Sequence, residues 1–80
     1  MSTLTAVREP LAMSVEVSDS ALRIVVADGR EISVPLAWFP RLLNATREGR
    51  EEWRLVGGGI GIHWPAVDED ISVESLLQAH

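Results

Sequence analysis

The sequence contains no cysteine and no lysine. Without thiols the chain cannot form disulfides, thiolate metal sites or a cysteine nucleophile, and the protein is expected in a reducing compartment. Long apolar runs are also missing: the run from Ile24 to Ala27 is among the longest, whereas a membrane-spanning helix needs about 20 residues. Arg8 and Glu9 interrupt any signal peptide. We therefore expect a cytoplasmic protein with no membrane segment.

Positive charge is scarce as well. The chain has 7 basic residues against 12 acidic residues, a net charge of -5 at pH 7, which repels the phosphate backbone of nucleic acids. Arginines do gather in residues 41–54, but glutamates are interleaved with them. This balance disfavours direct binding to nucleic acid.

The length of 80 residues allows one domain with a thin core, because folding at this size buries only about 60% of the surface of the unfolded chain. The hydrophobic content of 46% argues against intrinsic disorder. Residues 1–13 have no sustained period and include Pro10, which indicates a poorly ordered N-terminal arm. Residues 14–80 are predicted to form a single α+β domain.

Three strands are predicted in residues 14–34, where apolar residues recur at every second position. The last two strands are expected to form a hairpin closed by a three-residue loop with Gly29 in the left-handed conformation. A two-residue turn would instead mix core and solvent side chains in one row. The predicted register joins two apolar pairs, Ile24 with Ile32 and Leu22 with Val34.

A second hairpin is predicted at residues 57–61, which include four glycines. Two glycines accept the positive φ values of a two-residue turn. The remaining glycines leave one face bare, so that another backbone or a ligand can approach. The predicted register pairs Leu55 with Ile60 and Trp53 with Ile62.

One helix is predicted between the hairpins, in residues 39–49, with Gly49 ending it. A second helix is predicted to begin at Ser72, whose hydroxyl can cap it, and to bury the apolar stripe of residues 73–77. The element order is therefore βββαββα. This order favours an α+β fold in which two β-hairpins form a small antiparallel sheet covered by two helices.

Three stretches carry a family resemblance: Phe-Pro-Arg-Leu-Leu-Asn-Ala-Thr at residues 39–46, Gly-Gly-Gly-Ile-Gly-Ile-His-Trp-Pro at residues 57–65, and Asp-Glu-Asp-Ile-Ser-Val-Glu at residues 68–74. On these motifs the chain resembles the bacterial family called domain of unknown function 2442, over residues 14–78. The resemblance implies a small antiparallel sheet with helices. The family has no settled biochemical activity.

The resemblance also bears on partners. Some relatives carry a helix-turn-helix domain after this module, and genes of this type often lie beside a gene for another small uncharacterised protein. That arrangement is typical of toxin–antitoxin pairs or paired regulators. This chain ends at His80, which leaves no room for the extra domain, so the resemblance implies a partner-binding role rather than DNA binding.

The densest set of reactive side chains comprises His63, Asp68, Glu69 and Asp70, with Trp64 beside the histidine. Imidazole and carboxylate groups suit a divalent metal, so a metal-binding or small-ligand domain is one hypothesis. In the structural alternative, Trp64 anchors the loop in the core, His63 makes a local hydrogen bond, and the acids favour the next helix start while pairing with an arginine. We predict no catalytic residue and no cofactor.

Trp38 and Arg41 are of the residue types that are enriched at interface hot spots. An exposed Trp38 would mark a protein contact, whereas a buried one would be a packing residue. The sequence thus favours a non-enzymatic protein–protein interaction module. Its partner is expected to be a small protein, or a second copy added at an open sheet edge.

Overall fold

The computed structural model describes residues 10–78 and has, within them, two antiparallel sheets of three strands and three short helices, an α+β fold as predicted. The first sheet comprises β1 (Ala12–Val17), β2 (Ala21–Val26) and β3 (Glu31–Pro35). The second comprises β4 (Arg54–Val56), β5 (Gly61–Trp64) and β6 (Glu69–Ser72). The helices are α1 (Pro40–Leu43), α2 (Arg47–Glu51) and α3 (Val73–Gln78), and a 3-10 turn, Leu36–Trp38, precedes α1. In this part of the chain no helix has the length and apolar character needed to cross a membrane.

The predicted N-terminal arm lies mainly outside the described residues, which begin at residue 10. Its last residues belong to β1, since that strand begins at Ala12. The N–H of Ala12 donates to the carbonyl of Gly59 at 2.8 Å, and the carbonyl of Leu11 accepts from Ala27 at 2.8 Å. The start of β1 is therefore held by both the first and the second hairpin.

The first hairpin has the predicted register. Leu22 pairs with Val34 and Ile24 with Ile32, and all four side chains are buried. Gly29 has a φ of 97°, the left-handed conformation that the loop requires. Alternation along the strands was therefore enough to predict how they pair.

Ion pairs cover the exposed face of this sheet. The guanidinium of Arg23 contacts Glu16 at 3.1 Å and Glu31 at 2.7 Å, and its hydrogen bond to Glu31 is the main reason that the pKa of Arg23 is raised. In the loop, the N–H of Arg30 donates to the carboxylate of Asp28 and lowers the pKa of that group. These groups are in solvent, so they contribute little to stability.

The predicted register of the second hairpin is wrong. Leu55 pairs with Ile62, and Val56 pairs with Gly61. Four residues, 57–60, therefore lie in the loop where two were expected. The predicted pairs, Leu55 with Ile60 and Trp53 with Ile62, do not form.

Tertiary backbone contacts explain the longer loop. The carbonyl of Gly59 accepts from Ala12 at 2.8 Å, and the carbonyl of Ile60 accepts from Val73 at 3.0 Å. These carbonyls therefore bond to β1 and to the start of α3 rather than to β4. Gly59 has a φ of 115°, and a Cβ added there would lie 2.6 Å from the Ala12 carbonyl oxygen. The close approach of another backbone, expected from the bare glycine face, occurs at this residue.

The single helix predicted for residues 39–49 is divided in two. α1 ends at Leu43, and Thr46 starts α2 because its hydroxyl accepts a hydrogen bond from the Gly49 N–H at 3.0 Å. Gly49 had been predicted to end the helix, but it lies inside α2. It is buried, and a Cβ added there would lie 3.3 Å from the Cβ of Ala66, which indicates that close packing is the reason for glycine.

The strand β6 was not predicted, but the helix after it was. β6 pairs with β5, with Ile71 opposite Ile62. Ser72 caps α3, since its hydroxyl accepts from the Ser75 N–H at 3.3 Å. Ile71 and Leu76 are both buried, as expected for a hydrophobic staple.

One apolar core joins the two sheets, and Trp64 is the largest of its fully buried side chains. The remaining core residues come from all three strands of the first sheet, from β5 and β6, and from the helical segments. They are Ala12, Val15, Leu22, Ile24, Val26, Ile32, Val34, Leu36, Leu42, Ile62, Ile71, Val73 and Leu76.

A largely buried arginine completes this core. The side chain of Arg50 is only 12% exposed and donates to the carbonyls of Leu42 at 3.0 Å and Leu43 at 2.8 Å. It also contacts the carboxylate of Asp19 at 2.8 Å. The indole N–H of Trp64 donates to the Arg50 carbonyl at 3.1 Å. Arg50 therefore links α1, α2, the loop after β1 and strand β5.

We predict that Arg50→Met lowers the free energy of unfolding by about 2–4 kcal/mol, because it leaves carbonyl groups at the end of α1 without their donors. Arg47→Met is the matched control, since Arg47 is an exposed arginine on the same helix, and it is expected to change stability by less than about 0.5 kcal/mol. Urea unfolding followed by tryptophan fluorescence measures both. Equal losses in the two variants would contradict the role of Arg50.

We predict that Gly59→Ala destabilises the protein by more than about 3 kcal/mol, because it adds both a left-handed alanine and a clash with the backbone of β1. The control is Gly58→Ala, at a φ of 71° with no atom within 4 Å of the added Cβ. It is expected to cost about 1–2 kcal/mol, the backbone strain alone. Thermal and urea unfolding compare the variants, and similar losses would refute the observed loop geometry.

Candidate functional site

The residues of the predicted site lie on β5, β6 and the loop between them. His63 and Asp70 are opposite each other in the register of these strands. The Nδ1 atom of His63 lies 2.7 Å from Oδ1 of Asp70, and the side chains are 22% and 74% exposed. Arg54 is opposite His63 on β4, so the three residues form a polar row on one face of the second sheet.

The other residues of the cluster are directed elsewhere. Trp64 and Glu69 are opposite each other, one position along from the polar row and therefore on the other face of the sheet. Trp64 is fully buried, while the Glu69 carboxylate accepts from the Asp70 N–H at 3.1 Å. Asp68 adopts a φ of 52° in the loop.

Arg41 anchors this loop, though not through a carboxylate. Its guanidinium donates to the backbone carbonyl of Asp68 at 2.7 Å. An arginine was predicted to pair with the acids of this cluster. An arginine does bond to the predicted segment, but its acceptor is a main-chain oxygen and not a carboxylate. A side chain to backbone bond across 27 positions of sequence fixes the loop between β5 and β6 against α1.

A metal site would need three or more ligands directed at one point. In residues 10–78, no three histidine, aspartate or glutamate side chains are placed to hold a metal ion. Of the predicted set, only His63 and Asp70 meet. Alternation along the strands separates Glu69 from them, which removes the convergence on which the metal hypothesis depended.

Trp38 is on the surface, at 50% exposure. It ends the 3-10 turn before α1, and its neighbour Phe39 is only partly exposed and packs against the core. The helical segment therefore places one aromatic ring inward and the next one outward. An exposed Trp38 was expected to mark a protein contact, and this residue is exposed.

Two grooves border β6. The first, here called the outer groove, has a volume of about 480 Å³; Val56 and Ile60 form one wall, and Asp70 and Ser72 form the other. Gly61 lies between these walls at the level of the sheet. Because Gly61 has no side chain, the groove stays open.

The second, here called the inner groove, has a volume of about 270 Å³. It is lined by Phe39 from the segment before α1, by Ser75 and Leu76 from α3, and by residues of β6. Residues 70–72 line both grooves. β6 is thus a strand with an open depression on each side.

Sequence reasoning missed the walls of the outer groove. Val56 is 50% exposed and Ile60 is 44% exposed, yet Ile60 had been assigned to an apolar pairing row with Leu55, and Val56 had been given no role. The run of glycines between them was a usable signal, because it predicted a face without side chains. The position of β6 beside that face was not visible in the sequence.

Comparison with solved structures supports the fold. The chain is similar to a protein of unknown function from Rhodospirillum rubrum, known from a crystal structure, with a TM-score of 0.75 and 23% sequence identity. The similarity covers 90% of this chain and 89% of the other. No curated protein matches the chain. Residues 12–79 match the family described as protein of unknown function (DUF2442), and the chain therefore belongs to that family.

Proposed function

We propose that the protein is a non-enzymatic interaction module of the bacterial cytoplasm that binds a small protein encoded by a neighbouring gene. In the most specific form of the proposal it is the neutralising member of a toxin–antitoxin pair; in a looser form it is a regulatory partner. The observation that carries the proposal is the exposure of large apolar side chains around the two grooves.

Of the six large apolar residues that are exposed within residues 10–78, three lie on one short hairpin, while Met13 and Leu43 lie elsewhere. The three on the hairpin are Leu55, Val56 and Ile60, at 37%, 50% and 44% exposure. Trp38, at 50% exposure, immediately precedes Phe39 of the inner groove. Single exposed apolar residues are common on any protein, but groups beside concave surfaces are typical of binding sites.

The charge of the protein supports a basic partner. A net charge of -5 in 80 residues accelerates encounter with positively charged proteins and suppresses association between copies. Four acidic residues lie in residues 68–74, which include β6. A basic partner that binds near this strand would neutralise part of that charge.

The proposal predicts that the protein and the product of the adjacent small gene, when coexpressed, co-elute as a complex of fixed stoichiometry at micromolar concentration. Size-exclusion chromatography with light scattering measures the mass of the complex and of each protein alone. Separate elution of the two well-folded proteins at that concentration would disprove the proposed function.

We predict that Trp38→Ala weakens this complex by at least about tenfold, because a half-exposed tryptophan at an interface contributes as a hot spot. Met13→Ala is the matched control, since Met13 is 62% exposed but lies on β1 in the first sheet. It is expected to leave affinity unchanged. Calorimetric titration measures both variants, with circular dichroism to verify that each is folded; equal effects of the two would rule out the contact at Trp38.

A further inference from the structure

We propose that β6 is the docking edge, to which an extended, basic segment of the partner adds as a further strand, with its basic side chains beside Asp70 and its apolar side chains entering the inner groove. This inference rests on the proposed function, because the partner protein supplies the segment. It names the surface, the conformation of the bound segment and its charge.

The first observation is that β6 is an edge strand. In the second sheet the order is β4-β5-β6, so within residues 10–78 no strand pairs with the outer side of β6. The N–H of Asp70 is bonded by the side chain of Glu69 at 3.1 Å, the kind of local partner that occupies an edge donor when no neighbouring strand is present. Edge strands of this type are templates for strand addition.

The second observation is the pair of grooves, which lie on opposite sides of the same strand. In an extended segment, successive side chains point to opposite faces of the sheet. A strand beside β6 would therefore place one row of side chains beside Asp70 and Ser72, at the rim of the outer groove, and the other row toward Phe39 and Leu76 in the inner groove. Phe39 and Leu76 are apolar, so the inner groove suits aliphatic side chains, whereas Asp70 at the rim of the outer groove suits basic ones.

The third observation is charge, which selects the occupant. Asp68, Asp70 and Glu74 are exposed and Glu69 is partly exposed. The nearby arginines are Arg41, which is bonded to the Asp68 carbonyl, and Arg54, which lies two strands away in the polar row. A second copy would bring two acidic edges together, which is repulsive. A segment with arginine or lysine would instead bring opposite charges together across the new pair of strands.

The other edges are less suited to strand addition. β3 ends in Pro35, which lacks the N–H that pairing requires. β1 is already bonded at Ala12 to the second hairpin. β4 has three residues and borders only the outer groove, at Val56. β6, in contrast, has a groove on each side.

The test uses the full chain and a defined probe, a fluorescent eight-residue peptide of alternating arginine and valine with blocked ends. Fluorescence anisotropy measures its affinity, and two-dimensional NMR maps the backbone amides that shift. We expect saturable binding with shifts concentrated in residues 69–76. The matched peptides are a glutamate–valine repeat, expected not to bind, and an arginine–valine peptide N-methylated at every residue, expected to bind at least about tenfold more weakly because both edges of its backbone are blocked.

Variants of the protein test the grooves and the charge separately. Ser75→Trp fills the inner groove from an exposed position and is expected to weaken probe binding at least about tenfold, whereas Ser75→Ala binds normally. Glu69→Gln with Asp70→Asn is expected to weaken binding by up to about fivefold for each carboxylate removed, as for exposed ion pairs. Glu48→Gln with Glu51→Gln changes the net charge equally on α2 and is the control, with no loss expected.

The outcomes separate this inference from the proposed function. If the neighbouring protein co-elutes but hydrogen exchange shows its protection away from residues 69–76, docking at β6 is refuted and the proposed function stands. If no neighbour co-elutes while the probe binds as described, the proposed function fails and strand addition at β6 is retained. Equal binding of the N-methylated peptide, or a dimer protected at residues 69–76 without any peptide, would refute the inference directly.

Discussion

Arg50 supplies the hydrogen-bond partners of the carbonyl groups at the end of α1 and of the indole N–H of Trp64. The packing of the helices on the sheets depends on these bonds. The guanidinium donates to Leu42 and Leu43 and contacts Asp19, while the Arg50 carbonyl accepts from Trp64. A largely buried cation is tolerated only when its donors are satisfied. Here they are satisfied by three oxygens from two segments, α1 and the loop after β1, so a small apolar core gains a polar centre that specifies how helices and sheets meet.

The second constraint is the loop that joins the sheets. Carbonyls of residues 59 and 60 bond to the start of β1 and the start of α3, which places the second hairpin against both. This position leaves Val56 and Ile60 in solvent and sets Gly61 between them and Ser72. The outer groove is therefore a consequence of how the sheets are connected. The unfavourable exposure of its apolar side chains is offset by the backbone hydrogen bonds that Gly59 and Ile60 make to β1 and α3.

The strand β6 determines where the acidic side chains of residues 69 and 70 point. As a sequence, the residues from Asp68 to Asp70 resemble either a metal site or the start of a helix. Asp68 lies in the loop before β6, while Glu69 and Asp70 belong to the strand and point to opposite faces of the sheet, with Asp70 beside His63 and Glu69 opposite Trp64. Alternation disperses the carboxylates and places negative charge along an open edge. That distribution suits recognition of a basic chain better than coordination of an ion.

Local chemistry was sufficient for part of this description. The alternation of Leu22, Ile24, Ile32 and Val34 set the first hairpin, Ser72 marked the start of α3, and the order of the predicted elements indicated an α+β domain, because each depends on residues near one another in the chain. The second hairpin, the division of the first helix at Thr46, strand β6 and both grooves depended on partners far along the chain: Ala12 at Gly59, Ala66 at Gly49, Arg41 at the Asp68 carbonyl. Propensity and periodicity describe what a segment favours by itself, whereas these features arise from backbone groups that are satisfied, or sterically excluded, only when distant segments pack together.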